Sequence, residues 1–268
     1  MIGFRKSYGL LSETSTIEET RNPAWQRHLP ARAPLDWLSS GWRDLWQQPM
    51  LSLVYGVLIF ALSVLCVWIM VAVGWDYFLF PAISGFMIVA PVLATGLYAK
   101  SRALEAGQSL DTRSILLARP LAGAQIFFTG LLLCLLLLVW MRAAVLVYAL
   151  FFGIRPFPGI DHIAEILFTT PIGWAMLVVG GFVGALFAGF AFAISVFSIP
   201  MLLDRRVDAF TAMGSSIALV WNNLPVMLAW GAIVLGLFLI CVATGFIGLI
   251  VIFPLLGHAT WHAYGAMR

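Results

Sequence analysis

The sequence predicts an all-α, polytopic membrane protein whose six transmembrane helices run as three hairpins. Three observations carry that prediction. Of the 268 residues, 62% are apolar and only 10% charged, against about 25% charged in an ordinary soluble domain. The apolar residues gather into runs of about 20, the length that crosses a ~30 Å hydrocarbon layer at ~1.5 Å per helical residue. The basic residues are asymmetric as well: every Lys and Arg except Arg142 and Arg155 falls on segments that six crossings place on one side. A backbone in lipid must bond to itself, so each run is a helix. The basic side is the cytoplasmic one, and both termini are expected there.

Residues 1–34 are polar, broken by Pro23, Pro30 and Pro34, and carry no apolar leader segment; a flexible cytoplasmic arm is the expectation. The membrane domain is expected over 35–268. It opens with a helical stripe of Leu35, Leu38, Trp42, Leu45 and Trp46, with Asp36, Ser39, Ser40, Arg43, Asp44 and Gln47 assigned to the opposite face. Such a helix lies in the headgroup plane, and Pro49 turns the chain into the first span. The spans are expected over 51–71, 78–98, 124–152, 172–203, 224–242 and 246–264. A tight turn at Gly74-Trp75-Asp76-Tyr77 joins the first two. A basic segment (99–120) and a loop (155–171) separate the next ones. The fourth run is over-long and must tilt or kink, near its glycines or Pro200.

The stretch 78–107 is the expected organiser, because its exit recurs. Pro91, Pro200 and Pro254 each stand near the end of an apolar run that returns to the basic side. Phe210, Met213, Ile217, Val220 and Trp221 repeat the stripe from Leu35 to Trp46 at a constant offset of 175, and Gly85 and Pro91 are matched by Gly248 and Pro254. Residues of about 35–102 and 208–268 therefore read as parallel copies. The fourth span carries two rows of small residues, Gly180, Gly184, Ala188 and Gly181, Ala185, Gly189. Small side chains let helices approach closely in lipid, so these rows mark the centre of the bundle or a homodimer seam.

Little in the chain points to chemistry. His258 and His262, one turn apart on the last helix, can present two nitrogens to a metal or haem; Glu105, Asp204 and Asp208 are on the same predicted side. The competing reading has both imidazoles bonded to carbonyls and headgroups. Arg142 is a costly charge inside a span. It either snorkels or pairs with Asp76, Asp161 or Glu165, or else lines an ion or substrate path. Cys66, Cys134 and Cys241 sit in apolar runs without CxxC spacing and read as small buried hydrophobes. No phosphate-binding loop or nucleophile elbow is present, and no span shows the buried Asp, Glu or Lys that proton-coupled carriers use.

At GFMIVAPVLATGLYAKSRALEAG, FSIPMLLDRRVDAFTAMGSS and FPLLGHATWHAY, the chain resembles a bacterial inner-membrane family catalogued as domain of unknown function 2189, over about residues 35–268. The segment Gly41-Trp42-Arg43-Asp44 with Pro49 also fits. Where that family has Glu after the tyrosine of its GLY motif, this chain has Ala99-Lys100. The resemblance implies a six-span fold in the bacterial inner membrane and no activity. Some members carry a label as cytochrome c oxidase subunits, but the only histidines near a span here are the terminal pair. The expected role is that of a non-enzymatic accessory or scaffold subunit, with a respiratory complex as one setting for it, with lipid and a membrane-protein partner or second copy as its contacts and no nucleic acid. The alternatives are a small-solute or lipid transporter and a metal- or haem-binding enzyme at His258 and His262. A polar cavity reaching mid-membrane favours transport; a solid core favours the scaffold.

Overall fold

The computed structural model describes residues 29–108, 121–153 and 159–268. The expected arm thus lies outside the described residues as far as His28. So do the basic stretch 109–120 with Arg113 and Pro120, and residues 154–158 with Arg155. Everything else is helix and turn, without a strand among the described residues.

The chain enters through α1 (Ala33–Trp46), which has Pro34 in its first turn, Asp36 near its start and Arg43 near its end, charges that suit the helix dipole. It stops at Gln48, held in the left-handed region at φ 61°, and Pro49 opens α2 (Pro49–Ala72). A 3-10 turn at Asp76–Phe78 leads to α3 (Leu79–Leu93) and α4 (Thr95–Glu105). Next come α5 (Gly123–Phe152), a short α6 (Ile160–Thr169), α7 (Pro171–Ser195) and α8 (Ser198–Asp204). The last three are α9 (Ala209–Asn222), α10 (Leu224–Ala243) and α11 (Leu249–Gly265). Among the described residues, five helical stretches are long and apolar enough to cross a membrane: Pro49–Ala72, Leu79–Glu105, Gly123–Phe152, Pro171–Asp204 and Leu224–Ala243. The 17 residues of α11 fall just short of that length.

It is nevertheless α11, not the stretch 78–107, that organises the bundle. It packs on α1, α2 and α4 and buries Phe253, His258, Ala259, Trp261 and Tyr264. Two glycines permit this. A Cβ on Gly41 would sit 2.6 Å from the backbone nitrogen of Ala259, and one on Gly56 would sit 2.1 Å from the carbonyl oxygen of Ile250. Ile250 is the residue four before Pro254, which has no N–H to give it. The missing side chain of Gly56 and the missing donor of Pro254 thus meet at one point, where a Cα–H can face the freed carbonyl.

The other prolines break their helices. After Pro91 the chain interrupts at Ala94, and the freed carbonyls find hydroxyls: Tyr55 Oη donates to Leu93 O at 2.5 Å and Thr95 Oγ1 to Val92 O at 2.6 Å. Before Pro200 the break falls at Val196-Phe197, where the Phe197 N–H donates to Ser216 Oγ and Ser216 Oγ donates to Ala193 O at 2.7 Å. The over-long fourth run is therefore two helices.

At one end of the bundle the termini of α4, α8 and α11 meet. Arg102 donates to Leu203 O, Tyr264 Oη to Asp204 Oδ2 at 3.1 Å, and Arg268 pairs with Glu105 and Asp204. The start of α9 joins them, its Ala209 N–H donating to Gln125 Oε1 at 3.0 Å. The turns at Gly74 and at Gly245-Phe246 carry positive φ. The flanks of the long helices are bare: Phe127, Leu150, Val178 and Phe182 are all at least 66% exposed.

Candidate functional site

The feature that sequence reading passed over is a buried polar cluster where α1, α2, α4 and α11 converge. Lys100, Ser52 and His258 have no exposed surface, Ser101 has 1% and Asp44 has 7%. Asp44, assigned above to the outward face of α1, points inward instead. Leu35, Trp42 and Trp46 from the apolar stripe are the exposed residues. The reason is the close approach at Gly41: the α1 face that carries glycine is the one that can touch α11, and Asp44 lies three residues along it.

Lys100 is placed by the end of α1. The last carbonyls of a helix lack intrahelical partners, and here Gln48 turns left-handed and Pro49 has no N–H. Lys100 Nζ fills the gap, donating to Asp44 O at 3.0 Å, Gln48 O at 3.2 Å and Ser52 Oγ at 2.7 Å. An ammonium has three protons, and all three are used. A cation at a helix C-terminus also suits the dipole. The geometry corrects the expectation that no span carries a buried Lys: Lys100 lies within the long apolar stretch Leu79–Glu105 and is fully enclosed.

Hydrogen-bond direction follows from the ends of the cluster. Ser101 Oγ donates to Asp44 Oδ2 at 2.6 Å. Its one proton is then committed, so at the 2.8 Å contact with His258 it accepts from Nδ1–H. The other ring nitrogen of His258, Nε2, accepts from Ser52 O–H at 2.9 Å, and Ser52 accepts from Lys100. The tautomer is assigned by this network. The result is a continuous chain from ammonium to carboxylate: Lys100, Ser52, His258, Ser101, Asp44. His262 adds a second donor to Asp44 Oδ2 at 2.9 Å. Burial pushes the Asp44 carboxyl up, but the hydrogen bonds from His262 and Ser101 outweigh it and hold the group below its usual range.

Ser52 and His258 stand in the order of a nucleophile and its base. Both are fully enclosed, however, and the Ser52 oxygen already faces Lys100, so no substrate atom can reach them. The arrangement holds helices together; it does not hold an open reaction centre.

The residues singled out from sequence fall into different places. His258 and His262 share Asp44 as a destination, one through Ser101 and one directly. Among the described residues no three His, Cys, Asp or Glu side chains gather as a metal ion would need. Glu105 and Asp204 take Arg268, with Trp261 Nε1 also donating to Glu105 Oε2 at 3.1 Å, while Asp208 caps α9 through the Thr211 N–H. Gly184 faces Trp140 of α5 and Gly180 faces Val147, whereas Gly181 and Gly189 meet nothing. Arg142 is exposed on α5, and the side chains of Asp76 and Asp161 lie outside the described ones. Cys241 is buried, but Cys66 and Cys134 are exposed on the flanks of α2 and α5.

Beside the cluster, on the far side of α11, lies a cavity of about 110 Å³ walled by α3, α4, α7, α10 and α11. Its lining is almost wholly apolar and aromatic, with Phe86, Trp230, Phe238 and Phe253 among the residues that form it.

No curated protein and no solved structure matches this chain. A family model does, over a narrower span than the motifs above suggest. It includes Lys100 and Ser101 but not Asp44, His258 or His262. An all-helical chain with five stretches fit to cross a bilayer agrees with its description: residues 79–204 match the family model for a predicted integral membrane protein, DUF2189.

Proposed function

We propose that this is a membrane-embedded accessory or scaffold protein that acts by binding rather than by catalysis or by carrying polar solutes. The observation that carries the reading is the sealed state of its charges. Lys100, His258 and Ser52 are enclosed and fully bonded, and the cavity next to them is lined by apolar side chains. A polar solute would find no wetted path there. The long helices meanwhile present bare apolar flanks to lipid or to a neighbouring subunit. That cavity favours one second reading, passage of an apolar molecule or lipid.

The membrane topology proposed for this role is six crossings with both termini on the basic side. Its support is the one-sided distribution of Lys and Arg in the sequence, together with the meeting of the ends of α4, α8 and α11. The same arrangement supports parallel repeats. Helices α1 and α9 are both 14 residues long. At the offset of 175 their exposed residues correspond, Leu35 with Phe210, Trp42 with Ile217 and Trp46 with Trp221, and so do the buried pairs Trp37 with Ala212 and Leu45 with Val220. Each also packs on the returning helix of another hairpin, α1 on α11 and α9 on α7 and α8. An exposed Trp on each helix, joined on α1 by Arg43, supports a position of both in the headgroup plane, and the family resemblance supports a bacterial inner membrane.

The test is native mass spectrometry of protein released gently from its own membrane. A stoichiometric protein partner or a second copy is the expected result. A bare monomer, together with protein-dependent flux of a polar solute in proteoliposomes, would overturn the reading.

A further inference from the structure

The cavity between α3, α7, α10 and α11 is built for more than filling with lipid tails at random. Most of its polar lining is satisfied from within: Ser195 Oγ donates to Ala191 O at 2.6 Å and Thr260 Oγ1 to Leu256 O at 2.8 Å, each inside its own helix. Trp230 differs. Its ring helps to line the cavity, the residue has no exposed surface, and its Nε1 is buried with no hydrogen-bond partner among the described residues. The ring stands edge-on to Trp37 at 5.7 Å, and an aromatic face is only a weak acceptor. A buried indole normally finds a partner for its N–H, because leaving a donor unmet is costly.

An indole N–H donates and cannot accept, so the missing partner is an acceptor. Trp230 lies six residues into α10, about 9 Å along the helix at ~1.5 Å per residue, which is below the level of charged headgroups. The acceptor therefore arrives on a neutral, apolar molecule. Size narrows it further. An engineered apolar cavity of about 150 Å³ takes one benzene ring, so about 110 Å³ holds a comparable fragment, and the remainder must project outward. Ala188 both lines the cavity and is exposed, which puts the mouth beside α7, open to the acyl chains.

We propose that this cavity is a binding site for a lipid-soluble molecule bearing a carbonyl oxygen, which accepts a hydrogen bond from Trp230 while its apolar body passes out past Ala188. The carbonyl comes either from the ester of a bilayer lipid or from a free ketone-like compound dissolved in the bilayer. The proposal stands on the cavity and not on the scaffold reading, and defined lipids test it with no protein partner present.

The measurement is the indole N–H resonance of Trp230 in ¹⁵N-labelled full-length protein in nanodiscs, assigned by its absence in Trp230→Phe. Nanodiscs of diester lipid are compared with diether lipid of the same headgroup, and 2-undecanone is then titrated against undecane. A shift on changing ester to ether identifies a lipid carbonyl as the occupant; a shift with 2-undecanone alone identifies a free carbonyl compound. Either result supports the site. For the ketone, Trp230→Phe weakens binding about three- to tenfold, the value of one net hydrogen bond, and leaves undecane binding unchanged. Ala188→Phe, which blocks the mouth from an exposed position, abolishes the shift without touching Trp230. A resonance that moves with neither lipid nor ketone, or that moves equally with undecane, overturns the proposal.

Discussion

Replacing Lys100 by methionine tests whether the polar cluster is a coupled unit. Methionine keeps the length of the side chain and removes three donors at once, taking a hydrogen bond from Asp44 O, Gln48 O and Ser52 Oγ and leaving Ser52 only its bond to His258. Asp44 O is an end carbonyl of α1 and Gln48 O the N-cap carbonyl of α2, the two helices that pack on α11. Removing one member of a buried charged network costs about 3–5 kcal/mol, because what remains is desolvated and unpaired. For a chain of this size about 1 kcal/mol moves the midpoint by ~2–4 °C, so the expected drop is on the order of 10 °C in detergent. The second arm is Asp44→Asn, which removes the carboxylate at the other end of the chain. If the two ends are linked through Ser52, His258 and Ser101, the double variant loses less than the sum of the singles, by at least ~1 kcal/mol. A midpoint for Lys100→Met within 2 °C of the parent, or strict additivity of the pair, would refute the claim that these residues form one network.

Four further outcomes follow from the same geometry. Gly56→Ala forces α2 off α11 at the Ile250 carbonyl and costs about 1–3 kcal/mol as overpacking, whereas Gly181→Ala, which meets nothing, is neutral or gains up to ~1 kcal/mol in helix propensity; thermal midpoints of the two separate them. The Asp44 carboxyl is held below its ordinary range, so its contribution is present above about pH 4, the unfolded value, and fades as pH falls through the depressed native one. The midpoint gap between the parent and Asp44→Asn should hold from pH 7 to 5 and close only below about pH 4. Removing Arg268 costs less than ~1 kcal/mol, since its pairs with Glu105 and Asp204 are part-exposed and screened by salt. Finally, in a cysteine-free background, Arg206→Cys and Trp75→Cys label from opposite faces of sealed inverted vesicles; labelling from one face would rule out the threading proposed here.

The sequence was readable where lipid alone decides the outcome. Apolar run length gave the long helices, and proline marked the breaks at Ala94 and at Val196-Phe197, because neither depends on which helix is the neighbour. The polar cluster was not readable because it depends on little else. Asp44 follows the period of the polar face of α1 as well as that of the buried one, and only the contact at Gly41 with Ala259 chooses between them. Lys100 looked like any cytoplasmic-side lysine, since burial of its ammonium requires the carbonyls left open at Gln48-Pro49, fifty residues earlier. Ser52 and Ser101 carry no signal at all until His258 stands between them. The one clue was positional: a histidine one turn beyond Pro254, on the helix that glycines at 41 and 56 were made to meet.

That placement has a physical reason. Between helices in a bilayer, apolar contact is nearly neutral, because lipid tails solvate leucine as well as another leucine does. The bare flanks of α5 and α7 are therefore poor at choosing a partner. What distinguishes α11 from any other apolar rod is that it offers Ala259 to Gly41, Ile250 to Gly56 and an imidazole to two serines, all on faces that turn towards the first hairpin. These contacts join the last helix to α1, α2 and α4. A shift of α11 by one turn relative to α2 would bring His262 in place of His258 between Ser52 and Ser101 and leave a buried Lys100–Asp44 chain without its middle. The cluster thus fixes the register of this contact, which apolar packing by itself would leave open, and it does so at the end of the bundle where the termini of α4, α8 and α11 already converge.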